Sequence, residues 1–171
     1  KAILLFLICL IFFFLTYQDV KSSEITSITG HAKVTDGDTI KINTFKIRLN
    51  GIDAPEKKQK CKRPYLEIFI FIFYEDYSCG QKSTEALIKK INNQKITCKI
   101  SKVDYFKRLI GECYKRKTNI NAWLVSNGHA VAFRKYSKKY VPDEILAKQE
   151  KKGIWQGKFE MPWDYRKSKK N

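Results

Sequence analysis

The chain has 171 residues, of which 43% are hydrophobic and 13% aromatic. That length gives room for one domain or two, and the apolar content is enough for a core, which excludes wholesale disorder and a polytopic membrane protein. Lys and Arg number 34 against 17 Asp and Glu, a net charge of +17, so polyanions such as nucleic acid, anionic membrane or acidic polysaccharide are the expected partners.

Residues 2–15 form an unbroken apolar run behind Lys1, followed by a polar stretch to Glu24. The run is short of the ~20 residues a bilayer span needs and fits the apolar region of a secretory signal. Residues 1–23 therefore read as a signal peptide or a retained N-terminal anchor. Residues 24–171 read as an exported domain that is secreted, periplasmic or anchored facing outside. Removing Lys1, Asp19 and Lys21 leaves +16 on that domain.

Residues 28–35 read as a strand that ends in the turn Asp36-Gly37-Asp38-Thr39, where Gly37 supplies backbone freedom. Over residues 39–49, Ile40, Ile42, Phe45, Ile47 and Leu49 alternate with Thr39, Lys41, Lys46 and Arg48, a period of two with one buried and one polar face. Residues 57–79 open on the basic patch Lys57, Lys58, Lys60, Lys62 and Arg63, then turn apolar and β-prone over 66–74, LEIFIFIFY. Such a segment left exposed risks aggregation, so it is expected to pack on the rest of the domain, pair with a partner or touch membrane.

Residues 81–91 carry Ala86, Leu87 and Ile91 at helical spacing. Residues 96–103 and 109–114 read as two more strands. Asn119 suits the N-cap of a helix running through Asn127, with Gly128 just beyond it. Pro142 opens a last helix that Gly153 closes. Strands first and helices late indicate an α+β domain with about three helices. Five short strands suit a small closed barrel better than an open sheet with exposed edges.

With Cys9 in the leader, Cys61, Cys79, Cys98 and Cys113 remain. In an oxidising compartment four thiols suggest two disulfides, with three connectivities. No C-x-x-C pair occurs and His31 and His129 lie far from any Cys, which disfavours zinc. If Cys98 faces Cys113 across an antiparallel pair, Ile100 faces Gly111, Lys102 faces Leu109, and Tyr105 and Phe106 sit at the tip. Opposed Cα atoms are then about 4.5–5.5 Å apart, within disulfide reach. A tip without Gly or Asn points to a loop wider than two residues. Cys61–Cys79 follows by elimination.

Three stretches bring unlike charges together: Asp36-Gly37-Asp38-Thr39, the run from Arg48 to Glu56 (RLNGIDAPE), and Asp104-Tyr105-Phe106-Lys107-Arg108. Singly, each has an ordinary explanation as a turn, a solvated strand face or a hairpin flank. In this order and spacing they resemble the staphylococcal nuclease (thermonuclease) family, with its DGDT turn, R-L-x-G-I-D-A-P-E strand exit and D-x-Y-G-R hairpin. Residues 121–130 (NAWLVSNGHA), the Gly153-Ile154-Trp155 triplet and residues 156–166 (QGKFEMPWDYR) extend the likeness.

The resemblance implies an OB-type five-stranded barrel and a Ca²⁺-dependent phosphodiesterase that cuts DNA and RNA to leave 3′-phosphate ends. By motif position, Asp38 and Asp53 are the carboxylate ligands of Ca²⁺ and the Ala54 carbonyl is a third oxygen, with Asp36 behind them. Glu56 acts on the attacking water, and Arg48 and Arg108 clamp the phosphate. A hard dication prefers such oxygen donors, and guanidinium groups offset the charge that attack builds on phosphate. Tyr105, Phe106, Lys107 and Tyr136 are expected to contact substrate, by stacking or charge. A monomer is expected.

Two departures from the pattern stand out. Phe106 and Lys107 occupy positions where the family has Tyr and Gly, from which altered affinity and not inactivity is expected. The apolar stretch replaces a polar loop beside Glu56. The rival reading is a nucleic-acid-binding OB module that has lost turnover.

Overall fold

The computed structural model describes residues 26–170; the expected leader, residues 1–23, lies outside them. Strand β1 (Ser27–Asp36) is long enough to serve two neighbours. Its second half pairs antiparallel with β2 (Thr39–Ile42), Val34 opposite Ile40. Its first half pairs with β7 (Lys95–Val103), Ile28 opposite Cys98. β2 turns into β3 (Phe45–Leu49), and β7 into β8 (Leu109–Lys115). A parallel pairing of β3 with β8, Ile47 opposite Leu109 and Leu49 opposite Gly111, closes the five strands into a barrel.

Closure leaves β1, β2, β3, β7 and β8 without a free long edge, the solution small sheets use against edge-to-edge association. The inward set Ile40, Ile42, Ile47, Leu49, Ile96 and Cys98 is fully buried, as the two-residue period requires. Helix α1 (Cys79–Ile91) packs Leu87 and Ile91 into the same core, and α2 (Ile120–Ser126) adds Ile120 and Leu124. Asn119 caps α2 as expected, its side chain accepting from the Ala122 N–H at 3.0 Å. Gly128 follows with φ +66°.

The expected α+β barrel is the fold, with several local differences. Phe45 is exposed at the open end of β3, while Thr39, placed on the polar face, is buried with its hydroxyl on Asp38. Cys98 faces Cys113 and Ile100 faces Gly111, but Lys102 faces Ile110 and not Leu109. A bulge at Ser101 shifts the register, and the Ser101 hydroxyl bonds the Ile110 carbonyl; such an insertion leaves no trace in an alternation pattern. Both expected disulfides are formed, Cys61–Cys79 and Cys98–Cys113, with Cα separations of 5.6 and 4.0 Å.

The chain from α3 (Val141–Gln149) onward also differs. α3 stops before Gly153, which instead starts a 3-10 turn (Gly153–Gln156), and a fourth helix, α4 (Pro162–Ser168), follows. Trp155, Phe159, Met161 and Trp163 of this arm pack against Cys61, Cys79, Val131 and Ile154, a small second core. Two short strands, β4 (Ile52–Asp53) and β10 (Val131–Ala132), pair beside it, while β9 (Thr118–Asn119) pairs with β8 just ahead of α2.

Residues 57–79 contain an antiparallel hairpin, β5 (Cys61–Ile68) and β6 (Phe71–Tyr77). Its base is tied down by the disulfide and by a bridge from Lys62 to Lys158. Its apolar end does not pack on the barrel: Leu66, Ile68 and every residue from 69 to 73 are exposed.

The β7–β8 connection spans Asp104 to Arg108, whose backbones close on each other at 2.9 Å. Lys107 sits in it at φ +58°, a left-handed conformation that is unfavourable for a residue with a Cβ and free for glycine. Lys107→Gly is therefore expected to stabilise the fold by roughly 1 kcal/mol, a rise in melting temperature of about 2–4 °C. A calorimetric scan of both proteins checks it; an unchanged or lower midpoint contradicts the backbone account.

Candidate active site

The β1–β2 turn, the end of β3 and the β4 exit meet at one end of the barrel, and there two acidic side chains from separate segments are buried together. Asp38 leaves the turn with its backbone N–H donating to Asp36 at 3.2 Å. Its carboxylate accepts from the Arg48 Nη1 at 2.6 Å, from the Thr39 hydroxyl at 3.1 Å and from the Ala54 N–H at 2.8 Å. Asp53, held in place by the β4–β10 pairing, accepts from the Arg48 Nη2 at 2.6 Å. A single guanidinium thus spans both acids. Polar-face placement on β3 puts Arg48 there, directly opposite Thr39.

A second guanidinium closes the other side. Arg166 of α4 donates to both oxygens of Asp53, at 3.1 and 2.7 Å, and to Glu56 at 2.7 Å. Sequence reasoning assigned Arg166 no role, because nothing local distinguishes it from the other basic residues of a basic tail. Only the packing of the C-terminal arm brings it across a separation of 113 residues.

Glu56 is positioned by its backbone. Its N–H donates to the side chain of the buried Gln59 at 3.1 Å, and its carbonyl accepts from the Gln59 N–H at 2.7 Å. Gln59 is in turn anchored to the Glu160 carbonyl at 2.7 Å. The first turn of α1 presses on the same carbonyl: a Cβ at Gly80 would stand 1.7 Å from it. Pro55, Gln59 and Gly80 therefore fix Glu56 despite the apolar stretch that follows.

Arg48, Glu56 and Arg166 border an open cleft of about 750 Å³, and the buried Asp38 and Asp53 lie behind them. Asp36, Arg48 and Glu56 line one part, together with Arg166, and Arg108 and Phe106 of the β7–β8 loop line another. Arg108 is aimed by Asp104, which accepts from the Arg108 backbone at 2.9 Å and from its Nε at 2.8 Å. Tyr136 and Phe133 also face the cleft and meet edge to face at 4.8 Å. Lys46 and Lys102 add charge to its walls. Tyr105 and Lys107 are exposed and do not line it.

The electrostatics follow from burial. Desolvation pushes the Asp38 carboxyl up to about 7, although Arg48 pulls it back. Burial disfavours the Arg48 cation, yet Asp38 and Asp53 outweigh it and hold Arg48 more firmly protonated. Arg166 behaves likewise against Asp53 and Glu56. Two buried carboxylates with oxygen donors only suit a hard divalent cation. No group of three or more His, Cys, Asp or Glu side chains able to hold a metal gathers among the described residues. Side chains would supply two carboxylates, and carbonyl, water or substrate oxygens the remaining positions.

The family model described as "Staphylococcal nuclease homologue" matches residues 46–157. The chain belongs to the staphylococcal nuclease family. It is 33% identical over 136 residues to "Succinoglycan biosynthesis protein ExoI" of Rhizobium meliloti, covering 78% of this chain and 67% of that one. It is 30% identical over 149 residues to an "Uncharacterized endonuclease" of Escherichia coli, covering 79% and 83%. Against "Probable staphylococcal-like nuclease CAN3" of Oryza sativa subsp. japonica the identity is 31% over 137 residues, 78% of this chain and 32% of the relative. The chain spans about a third of that plant protein's length. Arg48 to Glu56 and Asp104 to Arg108 fall inside the matched staphylococcal nuclease region, whereas Asp38 and Arg166 lie outside it.

The raised Asp38 pKa has a testable sign. The folded state keeps the proton up to about pH 7, while an unfolded Asp releases it near 3.9. The stability this proton contributes is full below about pH 4 and lost as pH rises through 7. Without metal, the stability of the native protein relative to Asp38→Asn is expected to fall across that window. Chelator-treated thermal melts between pH 4 and 8 measure it, and a constant difference would contradict the burial argument.

Proposed function

We propose that this protein is a hydrolytic nuclease: a Ca²⁺-dependent phosphodiesterase that cuts DNA and RNA without strong sequence preference and leaves 3′-phosphate ends. The observation that carries the reading is that Arg48 and Arg166 tie the buried Asp38 and Asp53 to Glu56 at the wall of a cleft that Arg48, Glu56, Arg166 and Arg108 line. Membership of the staphylococcal nuclease family supports it.

Asp38 and Asp53 would hold the cation, with the Ala54 carbonyl as a third donor and Asp36 bracing the turn. When bound there, a hard dication offsets the negative charge that attack builds on the phosphoryl oxygens. Glu56, only partly buried, takes the proton of the attacking water, and Arg166 fixes the direction of its carboxylate. Arg48 and Arg108 grip the phosphate from two sides through fixed N–H forks. Phe106 and Tyr136 offer faces on which bases of any identity stack, and Lys46 and Lys102 attract the backbone. Phosphate contacts without base-edge readout give cleavage with little sequence preference. Two disulfides in one small domain fit an oxidising compartment, in keeping with export.

Plasmid DNA and RNA degradation tests this directly, run with Ca²⁺, with excess chelator, and with Glu56→Gln. Chelation is expected to abolish cutting. Glu56→Gln is expected to lower the rate on the order of 10²–10⁴-fold while filter binding of the same nucleic acid persists and weakens steeply with salt. Undiminished cutting in chelator would overturn the metal assignment, and undiminished cutting by the variant would overturn the role of Glu56.

A further inference from the structure

The β5–β6 hairpin carries an exposure that the proposed nuclease chemistry does not use. Phe69 and Ile70 form its turn and are 101% and 87% exposed. Residues 68–73 are apolar without a break and all exposed. Because side chains alternate across a strand, both faces of the hairpin end are apolar. A sheet that docks on a protein has one apolar face and one polar face. An apolar surface on all sides of a projecting tip matches a medium that surrounds it.

The residues are graded along the hairpin. Ile68, Phe69, Ile70 and Phe71 make the end, and Glu67 lies one position further back, opposite Ile72. The exposed pair Leu66–Phe73 comes next, then Tyr65 and Tyr74, then the pairs Arg63–Glu75 and Lys62–Asp76. Lys57, Lys58, Lys60 and Lys158 are exposed around the base, Lys158 with its ammonium 4.7 Å from the Tyr74 ring centre. Apolar end, aromatic belt and basic collar are the order in which a bilayer presents hydrocarbon, interface and anionic headgroups. The net +16 of residues 24–171 complements such a surface.

The turn itself gives a second, independent observation. Phe69 adopts φ +53°, a conformation where a bulky residue is an outlier and where Asn or Gly is the usual choice. Asn or Gly at position 69 would suit the backbone better, so the aromatic side chain is kept at a cost to the local structure. A fully exposed Phe gains nothing from the fold in return. Its gain must come from outside the molecule.

We propose that the β5–β6 tip is a membrane-dipping finger that inserts Ile68, Phe69, Ile70 and Phe71 into the interface of an anionic lipid bilayer. A rise of about 3.3 Å per residue and the charge of Glu67 limit entry to roughly 5–10 Å, the depth of interfacial insertion. The limit also has a backbone cause, since beyond the Lys62–Lys158 bridge the hairpin's outer edges pair with no other strand among the described residues, and hydrocarbon would not tolerate them. The Cys61–Cys79 bridge and the Lys62–Lys158 pairing tie the base of the finger to α1 and to the C-terminal arm.

The test uses the full chain carrying Ile70→Trp, with the native protein subtracted to remove Trp123, Trp155 and Trp163. Because only the tip is observed, binding by residues 2–15 does not enter, and because no cleavage is measured, failure here is separable from failure of the nuclease reading. With phosphatidylcholine–phosphatidylglycerol vesicles, the added emission is expected to shift blue and to be quenched by lipid brominated near the headgroup end of the chain. Pure phosphatidylcholine vesicles are expected to need about tenfold more lipid for the same signal. Adding Phe69→Asn, which favours the turn, is expected to cut the quenching several-fold with the melting temperature unchanged or higher. Emission that stays water-like on both vesicles overturns the proposal. So does a blue shift that needs no vesicles and grows with protein concentration, which would make the occupant a second copy of the chain.

Discussion

Two carboxylates buried side by side are the constraint on which the site, and much of the chain around it, depends. Asp38 and Asp53 are almost completely shielded from water, and neither charge would be tolerated there alone. Arg48 spans them at 2.6 Å on each side. Its place on β3 is fixed by the pairings that close the barrel, Arg48 opposite Thr39 on β2 and opposite Ile110 on β8. Barrel closure and charge neutralisation thus share one strand: the β2–β3 pairing sets Arg48 beside Asp38, and the β3–β8 pairing fixes the end of β3 from which the chain runs on to Asp53. Arg166 extends the dependence to the C-terminal arm, which packs through the second core to deliver one cation to Asp53 and Glu56.

The balance also bears on how the proposed site would respond to a cation. Removing one partner of a buried pair costs far more than the pair contributes, because an uncompensated charge remains. The acids are satisfied by guanidiniums that also line the cleft. Under the proposed reading, Asp38 and Asp53 would hold the cation and Arg48 would then be free to grip a phosphate, so that substrate and cation would neutralise the cluster together. Desolvation that pushes Asp38 up to about 7 works in the same direction, since it raises the benefit of any partner that stabilises the ionised form.

Much of this was legible in the sequence, for a physical reason. The barrel strands announce themselves by a period of two, and the register that set Cys98 opposite Cys113 was consistent with the bridge they form. The motifs around Asp38, Arg48, Asp53 and Glu56 are contiguous, so their resemblance to the staphylococcal nuclease family could be read directly from the chain. What stayed hidden depends on position in space and not on local pattern. The bulge at Ser101 inserts a residue without disturbing composition, Thr39 is buried by the site and not by its strand, and Arg166 acquires meaning only across 113 residues. Phe45 failed for the opposite reason: its parity was right, but the sheet ends before it is covered.

The apolar hairpin shows how a domain of this size carries a feature that works against its own folding. A two-stranded hairpin is marginal by itself in water, and an exposed apolar one more so. Its stability is supplied at the base. Cys61–Cys79 closes a separation of 18 residues, worth roughly 3 kcal/mol in the chain-entropy picture. The same bridge lies beside Gly80, which packs on the Glu56 carbonyl, and Gln59, which bonds the Glu56 backbone. One crosslink therefore serves both ends of the segment. It holds the finger upright and keeps its freedom from reaching the carboxylate at the cleft, so that the tip can vary in composition without moving the chemistry.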